Sequence, residues 1–187
     1  MASISVSGDT SGAVTIAAPA VASTPTLTLP TVSGTFITTG SSGQSIPKAA
    51  LPTGSVLQVV TNTYTGGQVS TTNTTMTSTT FATSITPTSS TSKILVLYSG
   101  SIYLNGSTGN QAYQTLYRGS TDLGTTNGMV EITGGGFWYP SCISYLDSPS
   151  TTSSTTYTIY HKRLSGTSVV FGGDSITASM VLLEIAA

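Results

Sequence analysis

From Val14 to Pro30 the chain reads VTIAAPAVASTPTLTLP, an alternating stretch with neither an aromatic ring nor a charge. Between Met1 and Pro47 the one charged side chain is Asp9 and the one aromatic is Phe36. Side chains this small bury too little apolar area to offset the entropy of ordering their backbone, about 1–2 kcal/mol per residue. Pro19, Pro25 and Pro30 exclude a helix, and they exclude the middle of a regular sheet. Such a segment either stays disordered or borrows a core from other copies of itself. It reads as three short strands, Ile4–Val6, Val14–Ala18 and Thr26–Leu29, punctuated by Ser-Gly turn dipeptides. Val14, Ile16, Leu27 and Leu29 are the candidate contacts of a thin stem in which three chains wrap together, since an isolated hairpin of this kind is marginal in water.

The rest of the composition agrees with a strand-built chain. Charged residues make up 6% of the 187 positions, against about 25% in an ordinary soluble domain. Thr, Ser and Gly fill the gap, and the abundance of Val, Ile and Thr favours strands over the charge-rich disordered class. The five basic residues are scattered and the net charge is -1, so there is no footprint for nucleic acid or for an anionic membrane surface. No run of about 18 apolar residues is present to cross a membrane as a helix. The opening MASISVSGDTSG lacks the basic and apolar regions of a secretory signal.

Three divisions follow: an N-terminal β stem or anchor over 1–39, a Gly/Ser/Pro linker over 40–54, and a head over 55–187. In the head, SVLQVV is a strand, two more follow Gly66-Gly67, and SKILVLYSGSIYLNG is the strongest run. Ile94, Val96 and Tyr98 fall on one face of that run and Leu95 and Leu97 on the other, which predicts burial on both sides. QAYQTLYRGSTDLG turns at Gly119, GGGFWYPSCISYLD is a strand approached through glycines, and TTYTIYHKRLSG alternates. The closing SMVLLEI is apolar enough to predict a place in the centre of a sheet or at a subunit contact. Turn signals at roughly 8–12 residue spacing predict an all-β sandwich or jelly roll, with no amphipathic helix.

Little in the head points to catalysis. His161 is the single histidine, too few for a His-based metal site, and its strand context predicts a surface position. No nucleophile-elbow G-x-S-x-G occurs. A glycosidase needs two carboxylates about 5–10 Å apart; Asp122, Glu131 and Asp147 fall near predicted loops and read as solvated ends. Gly134-Gly135-Gly136 lacks the Lys-Ser or Lys-Thr of a phosphate loop. Cys142, alone in an alternating apolar run, reads as a small buried hydrophobe. The expectation is therefore no enzyme, no metal and no cofactor. Phe137, Trp138 and Tyr139 form the one dense aromatic cluster, suited either to a core or subunit interface or to a receptor contact. At least one of the three must face away from the core, because neighbouring strand residues point to opposite faces.

The motifs Gly8–Gly12, Ala18–Ala20, Thr26–Pro30 and Gly34-Thr35, followed by IPKAALPTGSVLQVV, resemble a module of tail fibres and other appendage proteins of tailed bacteriophages, marine and cyanobacterial ones in particular. SKILV, LYRGSTDLG, SYLDSPSTTSSTTYTIY and LLEIAA resemble the C-terminal head of the same proteins. The resemblance implies a homotrimeric virion protein whose jelly-roll head is similar to the tumour-necrosis-factor-like trimers. It further implies attachment to other virion proteins through the N-terminal segment. The head would then meet a host-surface glycan or envelope protein on the outside of the particle, at tail or capsid. Long fibres carry an extended shaft and a dedicated anchor, and this chain has a stem of only about 35 residues. A capsid decoration protein at threefold sites is the alternative.

Overall fold

The structure, a computed structural model, describes residues 3–7, 13–17, 51–173 and 177–187. The chain divides into two compact units, Met1–Ser45 and Ile46–Ala187. In the first, β1 (Ser3–Ser7) and β2 (Ala13–Ala17) pair antiparallel, with Ile4 opposite Ile16 and Val6 opposite Val14. The third strand read from the sequence, with Leu27 and Leu29, lies outside the described residues.

The second unit is all strand: β3 (Val56–Tyr64), β4 (Val69–Thr71), β5 (Thr77–Ile85), β6 (Lys93–Asn105), β7 (Asn110–Arg118), β8 (Thr121–Asp122), β9 (Val130–Gly134), β10 (Trp138–Asp147), β11 (Thr155–Arg163), β12 (Ser168–Phe171) and β13 (Ala178–Ile185). No helix occurs among the described residues. All pairings in this unit are antiparallel, and four of them nest one inside the next. β3 pairs with β13, β5 with β11, β6 with β10, and β7 with β9. This unit is one long ribbon doubled back on itself, and these four strand pairs fall alternately in the two sheets. A six-stranded sheet holds β3, β13, β6 and β10 with β12 and β4 added along the upper half of β6; a five-stranded sheet holds β5, β11, β7, β8 and β9. This rolled ribbon is the jelly-roll β-sandwich expected from the strand spacing. The closing strand β13 sits between β3 and β6, inside its sheet, as its apolar sequence predicts.

The core lies between the sheets. Phe81, Ile94, Val96, Leu116, Tyr157, Ile159, Phe171, Met180 and Leu182 are at most 1% exposed, and Tyr64 joins Phe81 and Phe171 in an aromatic cluster with ring centroids 4.9–6.0 Å apart. Ile102, Leu104, Ala112, Ile132 and Val169 form a second cluster. Strand alternation delivers these side chains, since residues two apart line one face. Gln58 and Asn62 on β3 donate to the Thr86 and Ala82 carbonyls of the neighbouring edge, at 2.7 and 2.8 Å. They close one side of the sandwich.

Three sequence expectations are corrected. β6 is buried on one face only: Ile94, Val96 and Tyr98 point into the core, whereas Leu97 is 40% exposed and Leu95 is half-buried. A sandwich has two layers, and no described segment of the second unit supplies a third. His161 is not a surface residue. It continues the inward set Tyr157, Ile159, and is fully buried. Cys142 is exposed, because Ser141 and Ile143 on either side take the inward positions.

Candidate functional site

The outer faces of the two sheets are where a partner can be met, and they differ. On the six-stranded sheet the registers line up Val59, Leu183, Leu95 and Leu146 in a row across four strands. The next row is Thr61, Val181, Leu97 and Ser144, and the next Thr63, Ser179, Ser99 and Cys142. Beyond Ser101 and Pro140 the face ends on Ser70, Val170, Tyr103 and Trp138. Tyr103 and Trp138 are in ring contact at 5.4 Å. From Leu95 to Tyr103 this face carries no charge, and Val59, Leu97 and Leu146 are 54%, 40% and 50% exposed.

The outer face of the five-stranded sheet is hydroxyl-rich, aromatic and charged. Tyr117 and Tyr160 stack with centroids 3.8 Å apart. The Tyr117 phenol is held above its usual range by its removal from water and by the neighbouring Asp122 carboxylate. Ser84 and Thr156 share a 2.7 Å hydrogen bond. Thr115 donates to Asp122 at 2.8 Å, and Gln111 to Glu131 at 3.1 Å. Lys162 lies over the Tyr113 ring and donates to the Thr126 carbonyl at 2.6 Å, so the 123–128 segment covers it.

The three adjacent aromatics separate. Phe137 precedes β10 and is 69% exposed at the end of the sandwich. Trp138 belongs to the uncharged outer face. Tyr139 turns inward against the second core cluster, where its hydroxyl accepts from the Gly135 amide at 3.0 Å. The glycines before them serve close packing: a β-carbon on Gly135 would fall on the Ser107 carbonyl.

Asp122 and Glu131 do not form a carboxylate pair. Asp122 and Glu131 stand opposite Tyr117 and Tyr113, four positions apart on β7, which is about 13 Å of strand and beyond the separation of about 5–10 Å that glycoside hydrolysis uses. Asp147, read from sequence as a solvated loop end, is buried. It accepts from both Arg118, at 2.8 Å to each oxygen, and Tyr157, at 2.7 Å. Burial and this carboxylate both push the Tyr157 phenol well above its ordinary range. Arg118 and Tyr157 come from one sheet and Asp147 from the other, so the cluster is a clasp between layers. Ser141 donates to Gln114 across the same gap. Glu184 is also fully buried. Burial would raise its carboxyl, but the nearby Ser92 hydroxyl and the hydrogen bonds donated by Thr88 and Gln58 outweigh that and hold it below the usual value. None of these inward polar groups was picked out as structural from sequence, although the alternation of β11 places His161 and Tyr157 on one side.

A recess of about 490 Å³ opens between β10 and the 123–130 segment, floored by Ile143, Val130 and Met129 and with no charged side chain in its lining.

The fold therefore defines a jelly-roll domain with two unlike outer faces, preceded by a separate β ribbon. No family model matches the chain, and no curated protein matches it. Among solved structures it is similar to a chain of infectious bursal disease virus, Gx strain, with a TM-score of 0.35 and 13% identity over 71% of this chain. The match spans 39% of the viral chain's length.

Proposed function

We propose that this is a structural protein of a tailed-phage virion, a homotrimeric tail fibre or appendage. Its N-terminal segment attaches to other virion proteins, and its head is turned outward to meet the host surface. The observation that carries this reading is the pairing of a rolled-ribbon head with a separate, nearly uncharged β unit that is too thin to hold a core of its own. The sequence motifs shared with phage appendage proteins support it. Of the three aromatics, Phe137 and Trp138 lie at the surface, where a host glycan or envelope protein could meet them, while Tyr139 packs into the core. Such a contact needs no cofactor and no catalytic group.

Immunogold labelling of intact particles with an antibody to this chain tests the reading. Label at the tail is the expected result. Label spread over the capsid would replace the appendage with a decoration protein, and particles without label would sink both.

A further inference from the structure

We infer that the uncharged outer face of the six-stranded sheet is where copies of this chain pack against one another, with Trp138 at one end of the contact and Leu146 at the other. The inference rests on the homo-oligomeric reading above and names the surface that reading leaves open.

Four observations converge. First, the face is continuous by register, not by composition: Val59, Leu183, Leu95 and Leu146 are direct neighbours across four strands, and Val181 and Leu97 sit beside them in the next row. Second, it is free of charge from Leu95 to Tyr103, while Lys93 stands just beyond its aliphatic end. A neutral face is compatible with its own copy, whereas a singly charged one repels it. Third, with strands about 4.8 Å apart and same-face residues about 6.8 Å apart, the named rows cover roughly 600 Å². That approaches the ~800 Å² per partner of a standard stable interface, and the six aliphatic side chains of the first two rows supply about a third of it. Fourth, the alternation of β6 reads as a strand buried on both sides, and one of those sides has no cover within its own unit. A second copy supplies that missing layer. The opposite outer face, with Lys162, Asp122 and Glu131, carries charges that the first face lacks.

The inference reassigns Trp138 from a host contact to a contact between copies. It also provides a reporter, because Trp138 is the single tryptophan of the chain. The test uses the full chain, its Leu97→Lys and Leu146→Lys variants, and Thr133→Lys as a control on the exposed outer side of β9. Mass is read by analytical ultracentrifugation and Trp138 by its emission maximum, with circular dichroism checking that each variant is folded. The unsubstituted chain is expected to sediment as a multiple of 19.0 kDa. Leu97→Lys and Leu146→Lys should lower the mass, or keep it while moving Trp138 emission to longer wavelength if the N-terminal unit still holds the copies together. Thr133→Lys should do neither. A monomeric unsubstituted chain overturns the inference, and so do folded face variants with unchanged mass and unchanged emission. Oligomers that respond to Leu97→Lys, together with unlabelled phage particles, would leave the contact standing and remove the virion assignment. A labelled tail with unresponsive oligomers would do the reverse.

Discussion

The outer faces of the two sheets are built on the same strand geometry and drawn from the same Thr-rich sequence, yet they have opposite character. One presents Val59, Leu95, Leu97, Leu146, Val181 and Leu183 with no charge among them. The other presents stacked Tyr117 and Tyr160, hydrogen-bonded hydroxyls, and Lys162 folded beneath a loop. An aliphatic sheet face gains free energy only by leaving water. A hydroxyl and tyrosine face is stable where it is, because its polar groups pair with one another or with solvent. The difference separates a surface that needs a cover from one that does not.

The largest expected effect sharpens the contrast between the inside and outside of one strand. Leu182 and Leu183 are neighbours on β13, the first fully buried and the second on the outer face. Leu182→Ala should cost about 3 kcal/mol of folding stability through lost burial and a cavity. Leu183→Ala should cost less than about 1 kcal/mol when the chain is dilute, and should show instead as weaker association. Urea unfolding at two protein concentrations separates the two, and equal losses would erase the distinction between the faces.

Acid should act through the interior that joins the faces. Burial lowers the His161 pKa from 6.5 to about 4, and neither ring nitrogen has a hydrogen-bond partner among the described residues. Thr79, Gln114, Tyr98 and Ser141 line the inward sides of the neighbouring strands and are uncharged at neutral pH. Above pH 6.5 the residue is neutral in both folded and unfolded chains and contributes no pH dependence. Between pH 6.5 and 4 the unfolded chain binds a proton that the folded one refuses, so stability falls by about 3 kcal/mol over that window. Glu184 adds to the loss at lower pH, because its carboxyl is held below the usual range in the fold and that stabilisation disappears as the pH drops through its folded pKa. Denaturant midpoints at pH 7 and pH 4.5 should differ for the native chain and differ much less for His161→Leu. A native midpoint independent of pH would place His161 in contact with solvent.

The smallest effect concerns the hydroxyl face. The Tyr117–Tyr160 stack should contribute about 1 kcal/mol beyond area burial, measured as the coupling energy of a double-mutant cycle to alanine. A coupling near zero would mean that the pair is held open, as a ligand platform would be.

Much of this molecule is written in period-two patterning. The strands of the second unit other than β9 and β12, the Gly119 turn and the central place of the closing strand follow from which residues alternate and where Gly interrupts them. Even the burial of His161 is implicit in its spacing from Tyr157 and Ile159, though a lone histidine beside Lys162 and Arg163 reads as surface when taken by residue type. The short strands β9 and β12 carry too few residues for their pattern to stand out. Alternation sorts side chains into two sets but does not say which set meets another sheet. That is decided when the ribbon rolls up, by pairings between residues far apart in the chain. Only then do Ile94 and Val96 go inside while Leu95 and Leu97 stay out, Cys142 turns to solvent, and Asp147 closes on Arg118 and Tyr157 from the opposite layer. A strand's own sequence determines its two faces; the tertiary fold decides which of them still needs a neighbour, because burial is a property of what packs against a residue and not of the residue itself.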